Sequence, residues 1–190
     1  MTINLRGNEA RRPAAGLPAV VVRAMKDQPH AGIRESVFVP SGITDGHGRE
    51  LKWPFGKPGE VCDCRETWAM RADTEPGSDK AKHYLLYKAD DSDLTGQWHD
   101  YSPGWHSSAT MPQWAVRTHA RIVSVTAKLV TEVTEEEAID ANVEDSEFWN
   151  PNDCPSVTFS KDWDSTHKPP LDWASKPWVW VARLEKTNGM

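Results

Sequence analysis

The segment 177–185 constrains this chain more than any other. It sets Trp178, Trp180 and Ala182 against Val179, Val181 and Arg183, an alternation of period two that reads as a β-strand. Two indoles two residues apart share one face of that strand. A face that large belongs first to the body of a β-structure and only second to a ligand, because each indole must bury a large apolar area.

Further strands follow from β-branched and aromatic runs: 33–39, 60–69, 83–88, and a long one or two short ones over 116–130. Helical signals are fewer. Pro18 followed by Val20, Val21, Ala24 and Met25 predicts a short helix ended by Pro29. Thr134 with Glu137 three residues later is a capping box, predicting a short helix to about Ala141. Residues 159–166 read as a helical turn. Residues 1–16, with three arginines and little apolar content, read as a loose tail, and 187–190 as a second one. Residues 54–59 form a turn, 73–82 a polar flexible stretch, 89–108 a long loop or a decorated hairpin and 142–155 an acidic irregular stretch. The expectation is one α+β domain over 17–186, a barrel or sandwich of mixed, mostly antiparallel strands with a few short flanking helices.

The 190 residues suffice for one domain with a real core. No apolar run approaches the roughly 20 residues that cross a bilayer, and nothing reads as a secretory signal, so a membrane partner is excluded and a cytoplasmic location is expected. Three cysteines give no disulfide framework. Cys62 and Cys64 alternate onto one face of a strand, and core packing is the expected role. Of the seven histidines, His99 and His106 share a loop with Asp100, but a four-ligand metal set is missing, so no metal and no cofactor is expected. A formal charge of −6 argues against coating nucleic acid non-specifically, which needs many phosphate contacts.

Seven short pieces then occur in a fixed order: PFGKPG at 54–59, RETW at 65–68, YKAD at 87–90, MPQWA at 111–115 followed by Arg117, VTEEEAI at 133–139, WDS at 163–165 and PWVWV at 177–181. In this order they resemble the ASCH domains of phage and prophage proteins, which belong to the PUA-like β-barrels. The resemblance implies a closed barrel with flanking helices and a cleft for a nucleotide or a nucleic-acid loop. It also implies relatives that hydrolyse N(4)-acetylcytidine with a Lys, a Thr and a Glu, and others proposed to bind or cut RNA.

Laid on that pattern without gaps, the Lys position falls on His30, the Thr position on Ile33 and the Glu position on Ala141, while Arg34 is kept. Ile33 and Ala141 offer no group to activate a nucleophile or move a proton. The expectation is a binding module for RNA, single-stranded DNA or a modified nucleotide, using His30, Arg34, Arg65, Glu66, Trp68, Trp114 and Arg117. Arg65 and Arg117 suit phosphate, and Trp114 and Trp68 suit stacking. The ordinary alternatives are an Arg65–Glu66 ion pair at a barrel rim and a structural wedge at Trp114. Two other functions stay open: a residual hydrolase or ribonuclease using His30 and Glu66, and a phage accessory protein blocking a host protein through the acidic stretch 132–147 and its Trp-bearing loops.

Overall fold

In the computed structural model, residues 1–74, 81–90 and 104–187 are described. His99, Asp100, most of the loop expected at 89–108 and the segment 188–190 lie outside them. The frame is a five-stranded sheet in the order β1 (Thr2–Asn4), β5 (Val61–Arg65), β8 (Thr118–Leu129), β9 (Trp178–Lys186), β2 (Ala19–Ala24). Only β1 and β5 run parallel; the other neighbours are antiparallel. Two hairpins stand off this sheet: β3 (Ile33–Glu35) with β4 (Ile43–Asp45), and β6 (Trp68–Thr74) with β7 (Ala81–Tyr87).

The alternation at 177–185 decides how the sheet is covered. Trp180, Ala182 and Leu184 of β9 enter one buried cluster with Ala19 and Val21 of β2, Cys62 and Cys64 of β5, and Ile122 of β8. Val179 and Val181 enter a second cluster with Val20 and Val22. Alternate residues of the same strands feed the two clusters, so the clusters lie on opposite faces of the sheet. The second is covered by α2 (Glu135–Asp140) and α3 (Pro155–Thr166), which contribute Ala138, Phe159 and Trp163.

Several sequence expectations are corrected here. The strand expected over 33–39 ends at Glu35, the one expected over 60–69 breaks after Arg65 into β5 and β6, and residues 73, 74, 81 and 82 of the stretch expected to be flexible are in β6 and β7, with 75–80 outside the described residues. Residues 19–24 form a strand, not a helix. Three successive valines lose side-chain freedom in a helix. Burial on both faces also gives β2 a continuous apolar run instead of an alternating one, which hid its period. Residues 1–16 are not a loose tail: Thr2–Asn4 pairs with β5, Ile3 and Leu5 are buried, and Arg11–Ala14 is helical as α1. Arg12 there bonds Asp140 at 2.6 Å, while Asn8 and Asn142 exchange side chain-to-backbone hydrogen bonds of 2.8 and 3.0 Å. Residues 159–166 are the last two turns of the twelve-residue α3, with Pro155 at its first turn, where a missing N–H costs nothing. The capping box stands as read: Thr134 Oγ1 accepts from Glu137 N at 3.2 Å, and Glu137 Oε2 accepts from Thr134 N at 2.9 Å.

The sheet curls. A register shift between Ile122 and Ser124 bends β8, as an extra residue in one strand does. β1 and β2 are the two edges of the sheet, which is not closed by backbone pairing. A side chain connects these edges. Arg23 of β2 donates from Nη2 to Asn4 O at 2.8 Å and grips Glu9 with both terminal nitrogens at 2.6 and 2.7 Å.

Candidate ligand cleft

The residues expected to form one site fall into two places. The first is a node where β5 passes into β6. Glu66 is 1% exposed, and Arg117 clasps it by two hydrogen bonds, Nε to Oε1 at 2.8 Å and Nη2 to Oε2 at 2.9 Å. The other edge of the guanidinium holds Asp90 at 2.6 and 2.8 Å, and its centre stands 3.7 Å above the Tyr87 ring. Burial opposes the Arg117 charge, but Glu66 and Asp90 outweigh it and raise its pKa. Burial likewise raises Tyr87. Arg117 thus bridges two carboxylates, and each Glu66 oxygen accepts one of its hydrogen bonds.

Around that node, Trp68 packs on His106 at 4.8 Å between ring centroids, and Arg65 Nη1 reaches Ala109 O at 3.4 Å. Arg65 Nε and Trp68 Nε1 are buried without a hydrogen-bond partner among the described residues. Trp114 sits on a single 3-10 turn, Gln113–Ala115, and is 70% exposed. Beside it, Gln113 donates to Asp63 Oδ2 at 2.8 Å, and Asp63 Oδ1 meets His119 Nδ1 at 2.8 Å. The Gln113 amide, followed by His119, holds the Asp63 carboxyl below its usual range.

The second place is a cleft under the β3–β4 hairpin, and it receives Arg34. A groove of about 930 Å³ runs between the hairpin and β8, lined by Arg34, Lys57, Trp53, Ser36, Ser41 and Thr126 among others. A second cavity of about 560 Å³ shares Trp53 as a wall and is lined by Lys26, Lys52, Leu51, Met25 and Trp180 together with the acids Asp27 and Glu50. Both volumes fall in the range that holds small ligands, about 300–1,000 Å³. A third pocket, between the N-terminal segment and α3, has only about 220 Å³. Trp53, which lines both of the larger cavities, meets the buried indole of Trp180 edge-on at 5.5 Å.

The hairpin is tied down at its base. Gln28 donates to Met25 O and Trp178 O at 2.9 and 3.1 Å and accepts from Trp178 N at 2.7 Å. Arg49 links Asp45 at 3.1 Å to Gln28 O at 3.3 Å. Gly46 donates to His30 O at 2.9 Å, and a Cβ there would stand 2.6 Å from Ala31 O, so only glycine permits this approach. The hairpin tip, by contrast, leaves Val37 and Phe38 each 93% exposed. His30 is exposed in the adjoining turn, its ring 6.1 Å from that of His47.

The three positions aligned with the hydrolase residues do not converge. Ile33 packs against the first cluster and Ala141 lies within the second, on the opposite face of the sheet. Cys62 and Cys64 are fully buried, and mutual hydrogen bonding plus burial pushes the Cys64 thiol up. Among the described residues no group of three or more His, Cys, Asp or Glu is placed to hold a metal ion, and no helix is long and apolar enough to cross a membrane. Within the acidic stretch, Glu137 holds Lys128 at 2.9 Å, Glu135 holds Ser156 at 2.6 Å, and Asp140 holds both Arg12 and Arg183, while Glu132, Glu135, Glu136, Glu144, Asp145 and Glu147 are exposed.

Sequence reasoning missed Trp53, Lys52 and Lys57 as residues that line the cleft. The signal was present: two lysines flank a tryptophan at the start of the Pro- and Gly-rich turn 54–59. In comparisons with protein-family models, curated proteins and solved structures, nothing matches this chain.

Proposed function

We propose that this chain is an ASCH-type domain on a PUA-like barrel whose last gap is bridged by a side chain, and that it binds nucleic acid or a modified nucleotide, RNA foremost, without cleaving it. The barrel reading is supported by the curl of the sheet and by Arg23 reaching from β2 to the carbonyl of Asn4. The binding reading rests on one observation: the 930 Å³ groove places Arg34 and Lys57 beside the indole of Trp53 and the hydroxyls of Ser36, Ser41 and Thr126. Cations suit phosphate, an indole edge or face suits a base, and hydroxyls suit sugar and base edges.

Within a chain of net charge −6, few phosphates are contacted, so the salt dependence is shallow. For two phosphates on a single strand the slope of log K against log salt is about −1.4, from about −0.7 per phosphate. The test is titration of the protein into labelled single-stranded RNA, single-stranded DNA and modified nucleosides at low salt. Binding that Arg34→Ala and Lys57→Ala each weaken supports the reading; no detectable binding across the panel overturns it.

A further inference from the structure

We infer that the occupant of this cleft is a single-stranded oligonucleotide crossing Trp53, with a base on each side of that indole, rather than one mononucleotide held in the groove. This rests on the nucleic-acid reading above and extends it. Trp53 is a wall of both cavities. Either cavity alone has room for one nucleotide-sized ligand, so a single nucleotide leaves the other empty.

The cations follow the same division. Lys52 and Lys57 lie on one connecting segment with Trp53, Lys52 on the second cavity and Lys57 on the groove, while Arg34 adds a cation to the groove and Lys26 one to the second cavity. A backbone passing over the indole would meet a cation before and after it. The second cavity also carries Asp27 and Glu50. Carboxylates there repel phosphate but accept hydrogen bonds from exocyclic amino groups, so this side takes a base and leaves the phosphate at the rim with Lys52. The buried Trp180 packs edge-on against Trp53, which restrains the indole before a strand crosses it and lowers the entropic cost of binding.

The test is a length series measured by calorimetry: uridine monophosphate, then uridylate oligomers of two, three and four nucleotides, with deoxy and cytidylate series as parallel arms. The expected result is a gain of about tenfold in affinity between one and three nucleotides, the size of one added stacked base, followed by a plateau. Lys52→Ala shrinks the ratio of trinucleotide to mononucleotide affinity, and Trp53→Leu abolishes it, with thermal unfolding confirming that each variant is folded. Equal affinity for one and three nucleotides overturns this inference and leaves the binding function standing. Absence of binding at every length in every arm overturns both.

Discussion

Arg117 clasps Glu66, two nitrogens to two oxygens at 2.8 and 2.9 Å, and that single clasp ties the start of β8 to the turn between β5 and β6. Glu66 is buried with its charge, so the clasp is a commitment of the fold. Replacing Arg117 by Ala leaves an uncompensated buried carboxylate, a change that costs about 3 kcal/mol or more. Denaturant unfolding should show that loss for Arg117→Ala. Glu66→Gln, which keeps a hydrogen-bond acceptor and removes the charge, should lose less. Equal stability of Arg117→Ala and the native chain would refute the role.

The N-terminal strand carries weight that its composition conceals. Ile3 and Leu5 are buried, and Asp63 N and Leu5 N bond across to Met1 O and Arg65 O at 2.8 Å. Deleting residues 1–5 removes two core side chains, each worth about 1.5–3 kcal/mol, and bares the edge of β5. The shortened chain should melt at lower temperature and associate with itself, as exposed strand edges do. Light scattering and a melting curve check both.

His167 gives a pH signature. Its ring stacks on Trp163 with centroids 3.8 Å apart. Burial, then the nearby Arg6 and Arg23 charges, lower its pKa below the ordinary 6.5, despite the hydrogen bond to Trp163 O that favours the cation. The unfolded state therefore takes up a proton before the folded one as pH falls. The contribution to stability is full above about pH 6.5 and declines as pH drops toward the lowered folded value. Melting temperatures between pH 7.5 and 5 should fall less steeply in His167→Gln than in the native chain.

Trp114 is a control for the location of the binding site. It is 70% exposed and lies outside the cleft. Trp114→Ala should change stability by no more than about 0.5 kcal/mol and leave oligonucleotide affinity where it was. A large loss of affinity in this variant would move the site to the node around Arg65 and Trp68.

The capping box at α2 offers a local check. Thr134→Ala removes the acceptor for Glu137 N, and caps of this kind are worth about 1 kcal/mol. Glu137→Gln should lose the Lys128 ion pair and keep the cap's backbone contact, so the two variants separate capping from charge in denaturant unfolding.

Local signals were legible wherever they are carried by neighbours in sequence. The alternation at 178–181, the Thr134–Glu137 box and the turn at 54–59 each depend on residues within a few positions, and each took the form expected of it. The carboxylate partners of Arg117 were not legible, because Glu66 is 51 residues away and Asp90 comes from a third segment. Read singly, Arg65, Glu66 and Arg117 resemble ligand contacts; packed together, Glu66 and Arg117 satisfy each other.

The sequence by itself determined the β-rich character of the chain, its capped helix and the burial of Cys62 and Cys64, since period and capping are properties of short stretches. Tertiary structure decided the rest. It turned the three valines 20–22 into a doubly covered strand and drew residues 2–4 into the sheet. It set Ile33 and Ala141 on opposite faces and gathered Arg34, Trp53 and Lys57 around one groove. Which residues meet across a sheet depends on strand order and register, and those are fixed by the packing of the whole core rather than by any segment alone.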